Sequence, residues 1–115
     1  MKTKFLIAVL FTFRILAVYC QATEVDPDKI KFTILYNDIV LNEFFIGDQG
    51  FSCLIEIEGK SYLFDASNIE SILGYNTEAL GVDCSKIEFI YFSHLHVDHI
   101  CGLSGIIDAC SVFAI

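Results

Sequence analysis

Three histidines and one aspartate lie within six consecutive positions, and the 115-residue chain contains no other histidine. They are His94, His96, Asp98 and His99. Imidazole nitrogen and carboxylate oxygen are good zinc ligands, and they also suit iron and manganese. In an extended segment, residues two apart point the same way, so His94 and His96 can hold one cation while Asp98 and His99 face a neighbouring position. The spacing therefore predicts a metal site that activates water for hydrolysis.

The residues alone leave alternatives open. The cluster could be a polar loop without metal, or the paired histidines of an amidohydrolase barrel, although Asp98 and Gly102 argue against a barrel. Cys101 could be an extra soft ligand or a small residue at the entry to a helix. Asp65 could steady a ligand histidine or form part of a turn or helix cap.

The elements around the cluster follow from the hydrophobic pattern. Residues 87–92 form a nearly continuous apolar run, which is typical of a strand covered on both faces. Further strands are predicted at 31–36, 51–57 and 61–64, with a tight turn at Gly59-Lys60. Residues 37–50 are expected to form a loop, and a second loop should hold the three histidines.

Two helices complete the predicted order. Asn68 can cap a helix whose apolar residues recur at helical spacing, and Gly81 is placed to end it. A second helix is predicted over residues 102–110, followed by the start of a strand at 112–115. The order β-β-β-α-β-α-β predicts an α/β sandwich with an unfinished sheet.

Several segments resemble those of one superfamily. Residues 93–103 (Ser-His-Leu-His-Val-Asp-His-Ile-Cys-Gly-Leu) resemble the HxHxDH motif of metallo-β-lactamase-fold hydrolases, in its expected place after a buried strand. Residues 51–56, 63–65 and 80–83 resemble a branch described as similar to the dihydropterin-ribofuranosylaminobenzene-phosphate synthases of methanopterin metabolism. The similarity runs from about residue 31 to residue 115. It implies the N-terminal half of an αββα sandwich.

The resemblance also implies a ligand set. His94 and His96 would bind the first metal, Asp98 and His99 the second, and Asp98 would orient the attacking hydroxide. The complete fold would hold two zinc ions, with iron or manganese as alternatives. Family members supply a further His, a bridging Asp and a final His downstream, whereas no histidine follows His99 here. We therefore expect an incomplete part of such a domain that is inactive alone.

Three departures from the family pattern bear on the geometry. Leu95 stands where this branch often has a small residue, which could narrow the pocket. Cys101 replaces a frequent Gly. Residues 65–67 (Asp-Ala-Ser) replace the usual Asp-Thr-Gly turn, so the conformation of that turn is open.

The first 22 residues have the layout of a signal peptide. A basic start is followed by an apolar run and by small residues suited to cleavage, so residues 1–22 are predicted to direct export to the periplasm or the exterior. A membrane anchor is the alternative, although Arg14 would be costly in a bilayer, and a lipid-modified Cys20 is a weaker one. Residues 23–115 would then form the mature part.

Charge and cysteine content limit the partners. Residues 23–115 contain four lysines against all fifteen acidic residues of the chain, so contact with nucleic acid is not expected. A small-molecule substrate is expected instead. Cysteines 53, 84, 101 and 110 show no dense disulfide framework, and their pairing is left open.

Three functions are consistent with the sequence. The first is part of an exported metal-dependent hydrolase. The second is a truncated product that keeps the motif but cannot build the site, and the third is a small exported metal-binding protein. The resemblance favours the first.

Overall fold

The computed structural model describes residues 24–110, and the main element in it is one mixed sheet. Its strands are β1 (Ile30–Tyr36), β2 (Ser52–Ile57), β3 (Lys60–Phe64) and β4 (Ile87–Tyr91), in the order β1-β2-β3-β4. The first three strands run antiparallel, and β4 lies parallel to β3. The predicted mixed α/β class and the four strands are confirmed.

Three helices accompany the sheet. They are α1 (Glu70–Ala79), α2 (Val97–Ile100) and α3 (Leu103–Cys110), with short 3-10 turns at Pro27–Lys29 and Cys84–Lys86. The second predicted helix is confirmed as α3. The short helix α2 lies where the sequence predicts a loop. Residues 1–22, which are predicted to be a signal peptide or a membrane anchor, and the predicted strand at 112–115 lie outside the described residues. Among residues 24–110, the helices are too short or too polar to span a bilayer.

The ends of α1 differ in how well the sequence predicted them. The helix ends as expected, because Gly81 adopts a φ of +64° and the N–H groups of Gly81 and Val82 donate to the carbonyls of Glu78 and Thr77. The prediction that Asn68 caps the start is wrong. Ile69 occupies the cap position in an extended conformation and makes no side-chain bond. The chain is still leaving the turn at 65–67, so helical geometry begins only at Glu70.

The β2–β3 hairpin turns one residue earlier than predicted. Glu58 and Gly59 have φ values of +50° and +86°, and Lys60 already pairs with Ile57 as the first residue of β3. Two consecutive positive φ values suit the right-handed twist of a two-residue hairpin, and glycine adopts them at no steric cost.

The hydrophobic core lies on one face of the sheet. Helices α1 and α3 pack together there, and the core combines residues from the strands, the helices and the segments between them: Leu35, Tyr36, Leu54, Leu63, Ala66, Leu73, Cys84, Ile87 and Ile106. Burial of these side chains is the main source of stability for the described unit.

The opposite face of the sheet is apolar but exposed. A row of cross-strand neighbours runs over it, from Phe32 through Ile55 and Tyr62 to Phe89. Phe32 is 66% exposed, Phe89 60% and Tyr91 55%. The prediction that β4 is covered on both faces is therefore wrong for the described part of the chain. The apolar run at residues 87–92 gives β4 apolar side chains on both faces, but no helix or strand between residues 24 and 110 covers the second face.

The loop between β1 and β2 is held at its base by a buried amide. Asn76 of α1 donates to the carbonyls of Leu35 and Ile46 and accepts from the N–H of Ile46, at 2.8–3.0 Å. These bonds tie α1 to the end of β1 and to the middle of the loop at residues 37–51.

Candidate metal site

The parallel pair β3–β4 brings the predicted site residues together. Phe64 is paired with Tyr91, so the segments that follow the two strands leave the sheet at the same edge. Asp65 follows β3 directly, and Ser93 and His94 follow β4. Residues 28 and 34 positions apart in sequence thereby come within hydrogen-bonding distance.

The turn at residues 65–67 is held by all three of its N–H groups. Asp65 donates to Tyr91, Ala66 to His99 and Ser67 to Phe51, at 2.7–3.0 Å. Asp65 and Ser67 both have positive φ values, +58° and +56°, which L-residues other than glycine rarely adopt. The turn thus keeps a glycine-like conformation with a serine in place, at some cost in free energy.

Two glycines allow the histidine segment to approach this turn. A Cβ on Gly102 would lie closer than 3.0 Å to the carbonyl oxygen of Ala66 and the hydroxyl of Ser67. A Cβ on Gly50 would lie 2.5 Å from the carbonyl of Asp98. The backbones meet so closely that only glycine fits at either position.

The carboxylate of Asp65 is the centre of the hydrogen-bond network. It is 1% exposed, and it accepts from the N–H and the hydroxyl of Ser93 and from Nδ1 of His99, each at 2.7 Å. Burial alone would raise the pKa of Asp65, but the hydrogen bonds from Ser93 and His99 outweigh it and hold the pKa below its usual range. Of the two roles open for Asp65, the contact with His99 matches the steadying of a ligand histidine.

The three imidazoles lie side by side. The His94 ring centroid is 4.5 Å from that of His96 and 4.2 Å from that of His99. The expectation of one extended segment through the motif is wrong at its second half, because Asp98 and His99 lie in helix α2, which begins after His96. The helical turn places the ring of His99 beside that of His94.

Asp98 lies beside His99, with its Oδ2 atom 3.6 Å from Nε2. Both side chains are partly buried, at 23% and 19% exposure, whereas His94 and His96 are exposed. Within residues 24–110, no group of three or more His, Cys, Asp or Glu side chains converges as a complete metal-binding set. The predicted ligands are therefore close neighbours, but they do not converge as a metal-binding set in the described part of the chain.

Leu95 and Cys101 are the other residues of the motif segment for which the sequence leaves a role open. Leu95 is 79% exposed and fills no described cavity. Cys101 is an exposed free thiol at the end of α2, while Cys53 and Cys84 are buried free thiols. The structure therefore gives Cys101 the position expected of a small residue at a helix boundary.

Ser93 contacts both Asp65 and His94, a role that is not predicted from the sequence. The sequence does contain a signal from which this contact could be predicted. Residues that follow neighbouring parallel strands meet at one edge of the sheet, so Asp65 and Ser93 could have been paired once β3 and β4 were taken as neighbours.

The chain is similar, over part of its length, to several known proteins. The 7,8-dihydropterin-6-methyl-4-(β-D-ribofuranosyl)-aminobenzene-5′-phosphate synthase of Methanocaldococcus jannaschii is 36% identical over 84 residues, which are 69% of this chain and 29% of that protein. Ribonuclease Z of Borrelia hermsii is 39% identical over 56 residues, 49% of this chain and 17% of that protein. A crystal structure described as a metal-dependent hydrolase of the β-lactamase superfamily superimposes with a TM-score of 0.54 at 31% identity.

No protein-family model matches the chain. The superposition covers 64% of this chain and 26% of the solved one, so the chain spans less than a third of each of these relatives. The fold, the sequence similarity and the histidine motif all indicate the same superfamily. The chain is related, over part of their length, to the hydrolases of the metallo-β-lactamase superfamily.

Proposed function

We propose that this chain forms the part of a metal-dependent hydrolase that supplies its first metal ligands. The observation that carries the proposal is the group of three adjacent imidazoles at the end of β4, one of which is oriented by a buried carboxylate. The similarity to a solved metal-dependent hydrolase supports the same interpretation.

The donor chemistry fits a metal of the zinc type. Nδ1–H of His99 donates to Asp65, which leaves Nε2 of His99 free to act as a ligand. His94, His96 and Asp98 would supply the other donors, and two imidazoles with one carboxylate are ordinary zinc ligands. When bound, such a metal lowers the pKa of a water molecule enough for hydroxide to attack near neutral pH.

Asp98 is the residue proposed to act on the reacting water. Its carboxylate lies at the partly buried side of the histidine group, 3.6 Å from Nε2 of His99. A carboxylate only accepts hydrogen bonds, so it can hold a water O–H and turn the oxygen lone pair towards the substrate.

The described unit is proposed to be one part of an αββα sandwich. Two observations support this. The exposed apolar face of the sheet has the character of a face that packs on a second sheet, and each relative is more than three times as long as the matched region. The further ligands implied by the resemblance would come from the rest of such a domain.

The proposed substrate is a small molecule. The similarity to ribonuclease Z raises RNA as an alternative. The acidic balance of the chain opposes it, since a surface rich in carboxylates repels phosphate backbones.

Export, directed by residues 1–22, is proposed from their basic start, apolar run and small-residue end. N-terminal sequencing of the protein recovered from cells would show whether the chain begins at residue 23.

Zinc binding and hydrolysis together test the proposal. Isothermal titration of zinc into the full 115-residue chain should show weak binding that the His94→Ala/His96→Ala double variant abolishes. Asp98→Asn should weaken binding, while Asp108→Asn, which changes an exposed carboxylate on α3, should leave it unchanged.

Turnover gives the second readout. Bis(p-nitrophenyl) phosphate and a p-nitrophenyl ester should be hydrolysed by the zinc-loaded chain no faster than by zinc in buffer, because the site is only partly supplied. Zinc binding that survives the double variant would contradict the proposed ligands. Rapid turnover that disappears in His96→Ala would contradict the claim that further ligands are needed.

A further inference from the structure

Ser93 stands between the buried carboxylate and the first histidine of the motif. Its N–H donates to Oδ1 of Asp65 at 2.7 Å, and its hydroxyl lies 2.7 Å from Oδ2 of the same carboxylate. The hydroxyl oxygen is also 2.9 Å from Nδ1 of His94. A longer contact of 3.5 Å reaches Nδ1 of His99, whose own bond to Asp65 is much shorter, at 2.7 Å.

The direction of each hydrogen bond follows from counting protons. A carboxylate has no hydrogen to give, so the hydroxyl of Ser93 must donate its single proton to Asp65. The hydroxyl oxygen then keeps only lone pairs for His94, and Nδ1 of His94 must carry the proton in that contact. The same carboxylate receives Nδ1–H of His99 directly.

The consequence is that both imidazoles are held in the same tautomer. With the proton on Nδ1, the Nε2 atoms of His94 and His99 are left with their lone pairs, which is the form that binds a metal ion. His99 obtains this form from Asp65 itself, and His94 obtains it through Ser93.

We propose that Ser93 is a positioning residue, whose hydroxyl relays the Asp65 carboxylate to His94 and fixes the His94 ring with its Nε2 atom available to a metal. This inference rests on the proposed function for its purpose, but the tautomer itself is a property of the metal-free chain. The position of Ser93 follows from the parallel register of β3 and β4, and its N–H bond to Asp65 does not depend on the side chain. Replacing the hydroxyl should therefore leave the backbone in place.

The tautomer can be measured without metal. Long-range ¹H–¹⁵N correlation spectra of the metal-free chain at pH 8 should show His94 with its proton on Nδ1. In Ser93→Ala this preference should be lost, with Nδ1 of His94 moving towards the chemical shift of an unprotonated nitrogen. His99 should be unchanged, because its partner is Asp65. Ser93→Thr keeps a hydroxyl and should retain the preference.

The matched control is Ser85→Ala. Ser85 also donates its hydroxyl to a carboxylate, Asp83, at 2.6 Å, but it touches no histidine. Its removal should leave the His94 spectrum and the zinc affinity as they are. In Ser93→Ala the zinc affinity should fall about 10-fold, at the lower end of the range for partners of metal-bound histidines, because His94 is exposed and water can partly replace the hydroxyl.

The outcomes separate this inference from the proposed function. An unchanged His94 tautomer in Ser93→Ala would overturn the role of Ser93, whatever the chain binds. A lost tautomer preference with Ser93→Ala, restored in Ser93→Thr, would support it. Failure of the wild-type chain to bind zinc while that pattern holds would count against the proposed function alone.

Discussion

Gly102 is the position where a single methyl group should do most damage to the candidate site. The Cβ of Gly102→Ala would meet the carbonyl oxygen of Ala66 and the hydroxyl of Ser67 at less than 3.0 Å. One of these is backbone and cannot rotate away. The start of α3 would have to separate from the turn at residues 65–67, at a cost of about 2–3 kcal/mol for overpacking a closely fitted contact.

The matched control is the same substitution in α1. Gly74 lies in the interior of α1, and a Cβ there would have no heavy atom within 4 Å. Since alanine is the better helix former, Gly74→Ala should stabilise the chain by about 0.5–1 kcal/mol. The two variants add one identical methyl group and should shift stability in opposite directions.

Urea unfolding followed by circular dichroism measures both shifts. The difference between the variants should be about 3 kcal/mol, which corresponds to well over 10 °C in melting temperature for a unit of this size. Gly102→Ala should also weaken zinc binding, because the N–H of Gly102 bonds to Ser67 in the turn that supports His99. Two variants of equal stability, or a stabilised Gly102→Ala, would refute the close approach of α3 to the turn.

Three further predictions follow from single side chains. Ser67→Gly should raise stability by about 1 kcal/mol, since it relieves a φ of +56° and removes a buried hydroxyl without a partner; equal or lower stability in thermal melts would contradict the strain. Maleimide should modify exposed Cys101 well before buried Cys53, whose thiol pKa is raised by burial, and before Cys84; peptide mapping by mass spectrometry reads the order, and early labelling of Cys53 would contradict its burial. Asp65→Asn should destabilise the chain at neutral pH. The pKa of Asp65 is lowered in the folded state, so the contribution of its carboxylate to stability is present above about pH 4 and is lost as the pH falls through the folded-state pKa. Urea titrations should therefore show the stabilities of the variant and the wild type converging in acid.

The sequence predicted the parts of this fold that depend on local pattern. Strand β2, helix α3 and the end of α1 at Gly81 follow from alternation, helical spacing and glycine at a positive φ. The proposed metal ligands also stand out in the sequence, because histidine is rare in this chain and clustered.

Properties that depend on residues distant in sequence were not accessible in the same way. The contact of Asp65 with His99 spans 34 positions and requires that β3 and β4 be parallel neighbours. Helix α2 has only four residues, too few to show a period. The exposure of Phe89 depends on what lies above the sheet, and an apolar run has the same letters whether or not a second layer covers it.

Anomalous X-ray diffraction from zinc-soaked crystals of the full chain, recorded at the zinc absorption edge, tests the central claim most directly. We predict an anomalous peak beside His94, His96 and His99, with Asp98 in contact with the ion or with its water. Zinc held elsewhere on the chain, or no peak beside these histidines at zinc concentrations that saturate calorimetric binding, would contradict the proposed metal site.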